Sequence, residues 1–139
     1  ILDFGVVYNG YTSDVTLTVA KGELSAAQEK QLDLVQKAYS ECLKLYEKDV
    51  PVIAASKKAD EIFAKAKQKM PHSLGHGIGL EIHEAPFVSM RAAAENKFLP
   101  GIRLSPDYMI RLSADAALKT TFSLPKPEMC RLRTQRLSE

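Results

Sequence analysis

The sequence contains no tryptophan, and its 139 residues include only two cysteines, Cys42 and Cys130. These cysteines lack the paired spacing of a zinc knuckle or a disulfide framework, which indicates a reducing compartment, and we expect a cytoplasmic protein. No apolar run approaches the roughly 18 residues of a membrane span. The net charge of +2 is too small to indicate nucleic acid or an anionic membrane as a partner. The classes of protein that remain are a globular enzyme and a globular binding module.

The length allows one domain with a real core, and 45% hydrophobic and 26% charged residues are ordinary for such a domain. The chain opens on Ile1 within a predicted strand. We therefore expect an N-terminal part of the natural protein to precede it.

The first 19 residues, ILDFGVVYNGYTSDVTLTV, are rich in β-branched and aromatic side chains. Asn9-Gly10 divides them, and this dipeptide is a strong hairpin signal because a type I′ turn needs positive φ at both central positions. A two-residue loop pairs Tyr8 with Tyr11. The segment therefore predicts an antiparallel β-hairpin of known register.

Two amphipathic helices are predicted next. Ser25 and Gln28 have capping-box spacing. Apolar side chains then recur at helical spacing in two stripes separated by Pro51, and the second stripe ends before Pro71. The stripes are Leu32, Val35, Tyr39, Cys42 and Tyr46, and Ala59, Ile62, Phe63, Ala66 and Met70. Strands, two helices and further strands indicate the α+β class.

The segment HSLGHGIGLEIHE carries all three histidines, His72, His76 and His83. Alternating glycines argue against a helix, where each costs about 1 kcal/mol. They favour extended backbone that a ligand or ion approaches closely. His76 and His83 would face opposite sides of a regular strand, so a bend at the glycines is needed to bring them to one cavity. Ordinary core or surface histidines are the alternative for any single member.

Two aspartates of the hairpin are predicted to share one face. The register places Asp3 opposite Thr16, and Asp14 one diagonal step from Asp3, with Cβ atoms within about 7–8 Å. Acidic residues are disfavoured in strands. Surface solubility is one explanation, but beside a histidine cluster a shared divalent cation is favoured, and oxygen ligands with imidazole suit manganese, iron, cobalt or zinc.

Together, HSLGHGIGLEIHE and LDFG…YNGYTSDVT resemble the dinuclear metallopeptidases of the pita-bread fold, which include methionine aminopeptidase, Xaa-Pro aminopeptidase, prolidase and creatinase. The resemblance covers residues 1–101. It implies a partial metallopeptidase catalytic domain in which antiparallel strands carry two helices on one side. The histidine upstream of GHGIG and the LEIHE ending resemble the Xaa-Pro branch.

The resemblance also implies the site. Asp3, Asp14 and His76 are the expected metal ligands, and His83 and His72 are the expected catalytic residues: His83 contacts the developing oxyanion, and His72 lines the substrate pocket. Two divalent ions are implied, with manganese expected first and cobalt, zinc or iron as alternatives; they activate a water for hydrolysis. The implied substrate is a short peptide with proline in second position, and a homodimer is allowed for.

The resemblance breaks after Gly101. The family has two further glutamates, in segments like TIEPGLY and RIEND, which this chain lacks. Asp107 falls in the column of the first, but its SPDYM context is unlike the family's, and we do not expect it to be a ligand. Residues 102–139 are thus an anomalous tail. Leu17 also stands where the family usually has arginine.

A slip of the reading frame near Gly101 explains this tail, which we then expect to be poorly ordered. When the codons of Ser105 to Ile110 are read in the other frame, they can encode Glu-Pro-Gly-Leu-Tyr-Asp. The codons of Ala114 to Thr121 can likewise encode Gly-Gly-Cys-Arg-Ile-Glu-Asn-Asp. The glutamate codons would straddle Leu104/Ser105 and Leu118/Lys119. Reading the encoding DNA tests this hypothesis.

The leading interpretation is thus a truncated, impaired exopeptidase of Xaa-Pro type with weak, mononuclear metal binding. Methionine aminopeptidase is the first alternative and a creatinase-like amidinohydrolase the next. From another class, a metal-free pseudo-peptidase that binds peptide or protein also remains.

Overall fold

The computed structural model describes residues 2–20, 22–113 and 116–121, with side chains through residue 105. The described elements are β1 (Leu2–Phe4), β2 (Val7–Tyr8), β3 (Tyr11–Thr12), β4 (Val15–Leu17), α1 (Ala26–Leu43), α2 (Val52–Lys65), β5 (Gly75–Gly77), β6 (Glu84–Val88), β7 (Leu104–Ser113) and β8 (Ala116–Thr121). Six strands form one antiparallel sheet in the order β1-β4-β8-β7-β5-β6, and β2 and β3 form a separate two-stranded sheet. The α+β class is confirmed.

The predicted hairpin is confirmed in its turn and register. Tyr8 pairs with Tyr11 across the two-residue loop. Asn9 and Gly10 have φ of 49° and 82°, as the turn type requires. The local sequence therefore determines how the first strands pair, and this pairing determines where Asp3 and Asp14 lie in the hairpin.

Helix α1 begins at the predicted capping box. The Ser25 side chain accepts a hydrogen bond from the Gln28 N–H, and the Gln28 side-chain oxygen accepts one from the Ser25 N–H at 2.8 Å. The stripe of α2 was predicted too long, because the helix ends at Lys65. Lys67 turns into the left-handed region with φ 56°, and the Gln68 N–H donates to the Phe63 carbonyl at 2.8 Å. Met70 is still buried, but beyond the helix.

The hydrophobic core joins the two helices to the strand segments around β5 and β6. Its largest fully buried apolar side chains are Phe63, Val35, Val52, Val88 and Cys42. Leu74, just before β5, and Leu104, at the start of β7, belong to the same cluster. Val88 of β6 and Leu104 of β7 lie in this cluster, so both strands that pair with β5 are anchored in the core and can support a site on β5.

The structure tests the predictions about the cysteines and about membrane spans only in part. Cys42 is a buried thiol that donates to the Ala55 carbonyl at 3.4 Å, whereas Cys130 lies outside the described residues. Neither described helix has the length and apolar character needed to cross a bilayer.

The tail contains β7 and β8, and residues 122–139 lie outside the described part. The domain boundary at residue 101 and the frame slip stay predictions.

Candidate metal centre

Strand β5 holds His76 between β6 and β7. The residue is buried, with 6% of its surface exposed. At Gly77 a Cβ atom would overlap the carbonyl groups of Glu84 and Ala85, and at Gly79 it would meet the Glu84 carboxylate. In the structure these two glycines leave room for atoms of β6, so that β5 and β6 pack closely. The approach of a ligand or ion to this segment stays a prediction.

A bend after Gly79 returns the chain to β6 and carries His83 back to His76. The Glu81 N–H donates to the Glu84 carboxylate at 2.7 Å, which closes this bend. The two imidazole rings lie 4.3 Å apart between centroids and are tilted by 54°. The structure thus brings together two histidines that a straight strand would separate, and His83 is the exposed member of the pair.

Asp14 precedes β4, and its side chain lies against His76 of β5, although β8 and β7 stand between these two strands in the sheet order. Its Oδ2 lies 3.4 Å from His76 Nε2, and the residue is buried, with 6% exposed. His76 Nδ1 lies 2.9 Å from the Gly77 carbonyl oxygen. A neutral ring that donates from Nδ1 presents its Nε2 lone pair towards Asp14. This orientation by a backbone carbonyl is typical of metal-binding histidines.

Asp3 and His72 are exposed, in contrast to the buried Asp14 and His76. Asp3 is opposite Thr16, as predicted, but it is exposed, and its Oδ1 accepts a hydrogen bond from the Thr16 hydroxyl at 2.8 Å. His72 lies in an exposed turn, with Nδ1 2.7 Å from the Ser73 carbonyl oxygen. The roles that the resemblance implies for Asp3, Asp14, His72, His76 and His83 stay predictions.

Sequence reasoning missed Ser105 as a member of the site. Ser105 pairs with His76 across β5 and β7, is fully buried, and donates its hydroxyl to Asp14 Oδ2 at 2.9 Å. A serine in an irregular stretch carries no functional signal. The one pointer in the sequence is the frame-slip hypothesis, which places a glutamate codon at the junction of Leu104 and Ser105. The side chain of Asp107 lies outside the described side chains.

The residues present do not fit a pair of metal ions. Across residues 2–20, 22–113 and 116–121, no three acidic, histidine or cysteine side chains converge so as to hold a cation. Asp14 and His76 supply one carboxylate and one imidazole, and Ser105 adds a neutral hydroxyl. A dinuclear centre needs more carboxylates to offset its charge.

The family of the chain follows from comparison. Residues 1–110 match the metallopeptidase family M24. This stretch is well over half of the chain and continues past residue 101, so the chain belongs to that family, whose fold is the pita-bread fold.

The relatives agree with this assignment. An uncharacterized peptidase of Staphylococcus saprophyticus is 31% identical over 134 residues, covering 85% of this chain and 38% of the relative. The Xaa-Pro dipeptidase of Pyrococcus furiosus is 33% identical over 91 residues, covering 64% and 26%. The X-Pro aminopeptidase structure from Thermotoga maritima has a TM-score of 0.80 at 28% identity, covering 87% and 34%. The chain thus covers between 26% and 38% of the length of these proteins.

Proposed function

We propose that this chain supplies part of the catalytic domain of an Xaa-Pro-type exopeptidase, which hydrolyses the bond before proline in short peptides. The observation that supports this most is the buried contact between Asp14 and His76, with the His83 ring against His76. All three residues lie in the two sequence motifs that carry the family resemblance. The similarity to an Xaa-Pro dipeptidase and an X-Pro aminopeptidase favours the proline-directed branch over methionine aminopeptidase.

Four of the five predicted site residues have a proposed part here, and Asp3 stays a metal ligand only as the resemblance implies. Asp14 and His76 face one divalent cation, with manganese expected first, and because the donor set is small, this binding is weak and mononuclear. His83 is exposed beside them, where an imidazole N–H can donate to a peptide carbonyl as negative charge develops on its oxygen. His72, in the turn before β5, lines the approach of the peptide. The chain alone is then an impaired enzyme.

A metal-free peptide-binding module is the second candidate. The hydrogen bond from Ser105 to Asp14 favours it, since it satisfies the buried carboxylate without a cation. The two candidates differ in whether a divalent ion changes what the chain does with a proline peptide.

The test measures hydrolysis of Xaa-Pro dipeptides and calorimetric binding of manganese, each with a chelated control. We expect one weak manganese site, lost in Asp14→Asn and kept in Asp33→Asn, a matched change on the exposed face of α1. A chain translated in the other frame after Gly101 should hydrolyse Xaa-Pro dipeptides faster than the chain as written. Two tight manganese sites in the chain as written contradict the incomplete site. A folded frame-restored chain that ignores proline peptides contradicts the proposed specificity.

A further inference from the structure

Ser105 occupies a position from which a longer or charged side chain would face the same cation as Asp14 and His76. We infer that this serine is what keeps the pocket from binding a divalent cation tightly, and that an acidic side chain at position 105 completes a three-ligand site. The inference rests on the proposed function only in that Asp14 and His76 face a cation.

The strand register supports this placement. Ser105 and His76 are directly paired residues of neighbouring antiparallel strands, so their side chains project from the same face of the sheet. The Asp14 carboxylate lies against both, with Oδ2 2.9 Å from Ser105 Oγ and 3.4 Å from His76 Nε2. At most 6% of any of the three residues is exposed. Three side chains from three separate chain segments therefore converge on one buried point.

The chemistry of the hydroxyl explains weak binding. A neutral serine hydroxyl offers a cation no charge, and by donating to Asp14 Oδ2 it engages the oxygen that faces His76. Asp14 is the one acidic side chain among the three residues. A carboxylate at position 105 adds a second acidic ligand, so that two carboxylates face a divalent cation. In the absence of metal the same two carboxylates repel each other in a buried place.

Two acidic variants, Ser105→Asp and Ser105→Glu, test the inference at two side-chain lengths. Cobalt(II) is the probe, because its visible absorption reports coordination and calorimetry gives its affinity. We expect at least one variant to bind cobalt(II) ten-fold or more tightly than the wild type. Its thermal unfolding should begin lower than the wild type's without metal and rise with cobalt(II), because a ligand of the native state stabilises it. The gain should disappear when Asp14→Asn is added.

Ser105→Ala is the control, and its result can also contradict the inference. It removes the hydroxyl without adding charge, so cobalt(II) affinity should stay equal or rise slightly. A marked loss of affinity would show that Ser105 is itself a ligand and would overturn the inference. So would acidic variants with unchanged affinity, or acidic variants that unfold and are not refolded by cobalt(II). Peptide hydrolysis plays no part in these measurements, so failure of the proposed specificity would leave their outcome intact.

Discussion

The two helices and the N-terminal ribbon (residues 2–12) differ sharply in burial. Phe63 and Val52 of α2 are fully buried, whereas large apolar side chains of the ribbon are between 53% and 76% exposed. These exposed residues are Leu2, Phe4, Val6, Val7, Tyr8 and Tyr11. Burial of apolar surface is the main source of folding free energy. The stability of the chain therefore resides in the helical layer, and the shape of the ribbon depends on turn geometry and hydrogen bonds.

The candidate site joins these two regions. His76 lies on β5, which the core anchors, whereas Asp14 follows the ribbon. The ribbon is linked to the loop between His76 and His83 through Thr12, whose N–H donates to the Gly79 carbonyl at 2.7 Å. A change in the core should therefore unfold the chain, and a change in the ribbon should move Asp14 while the helices stay folded.

The largest expected effect is in the helical layer. Phe63→Ala should lower the free energy of unfolding by about 3–5 kcal/mol, because it leaves a cavity in a fully buried part of the core. Denaturant titration followed by circular dichroism measures this. The matched control is Phe87→Ala, the same change at a side chain that is 55% exposed. An equal or larger loss at Phe87 would contradict the contrast between the layers.

A smaller effect is expected at the base of the ribbon. At Gly5 a Cβ atom would overlap the carbonyl group of Ser13, in the facing segment between β3 and β4. Gly5→Ala should therefore push the strands apart at a cost of about 1–3 kcal/mol. Amide resonances of residues 6–14 should shift, while those of α1 and α2 keep their positions. Shifts confined to the helices would show that the ribbon does not behave as a separate region.

The parts that sequence predicted are those that local chemistry determines. The Asn9-Gly10 turn and the Ser25 cap each depend on residues a few positions apart, and the structure has both. The bend that joins His76 and His83 follows from glycines within the same segment. The contact of Ser105 with Asp14 spans 91 positions and depends on which strand pairs with β5. No periodicity encodes such a partner. The end of α2 was missed because Lys67, not a glycine, adopts the left-handed conformation.

The smallest expected effect on stability, and the sharpest test of the link to the site, is Thr12→Val. The Thr12 hydroxyl lies 3.0 Å from both the Gly79 and the Glu81 carbonyl oxygens and shares its one proton between them. Valine keeps the shape and the backbone N–H but loses this donor, so stability should fall by about 1 kcal/mol. The loop between the histidines should loosen, and the ring resonances of His83 should shift as its contact with His76 changes.

Ser40→Ala is the control for this loss of a hydroxyl. The Ser40 side chain donates to the Gln36 carbonyl at 2.9 Å on an exposed face of α1, so the change removes a hydrogen bond of the same kind away from the site. Its histidine resonances should match those of the wild type. If Thr12→Val leaves them equally unmoved, the Thr12 hydroxyl does not position the histidine loop.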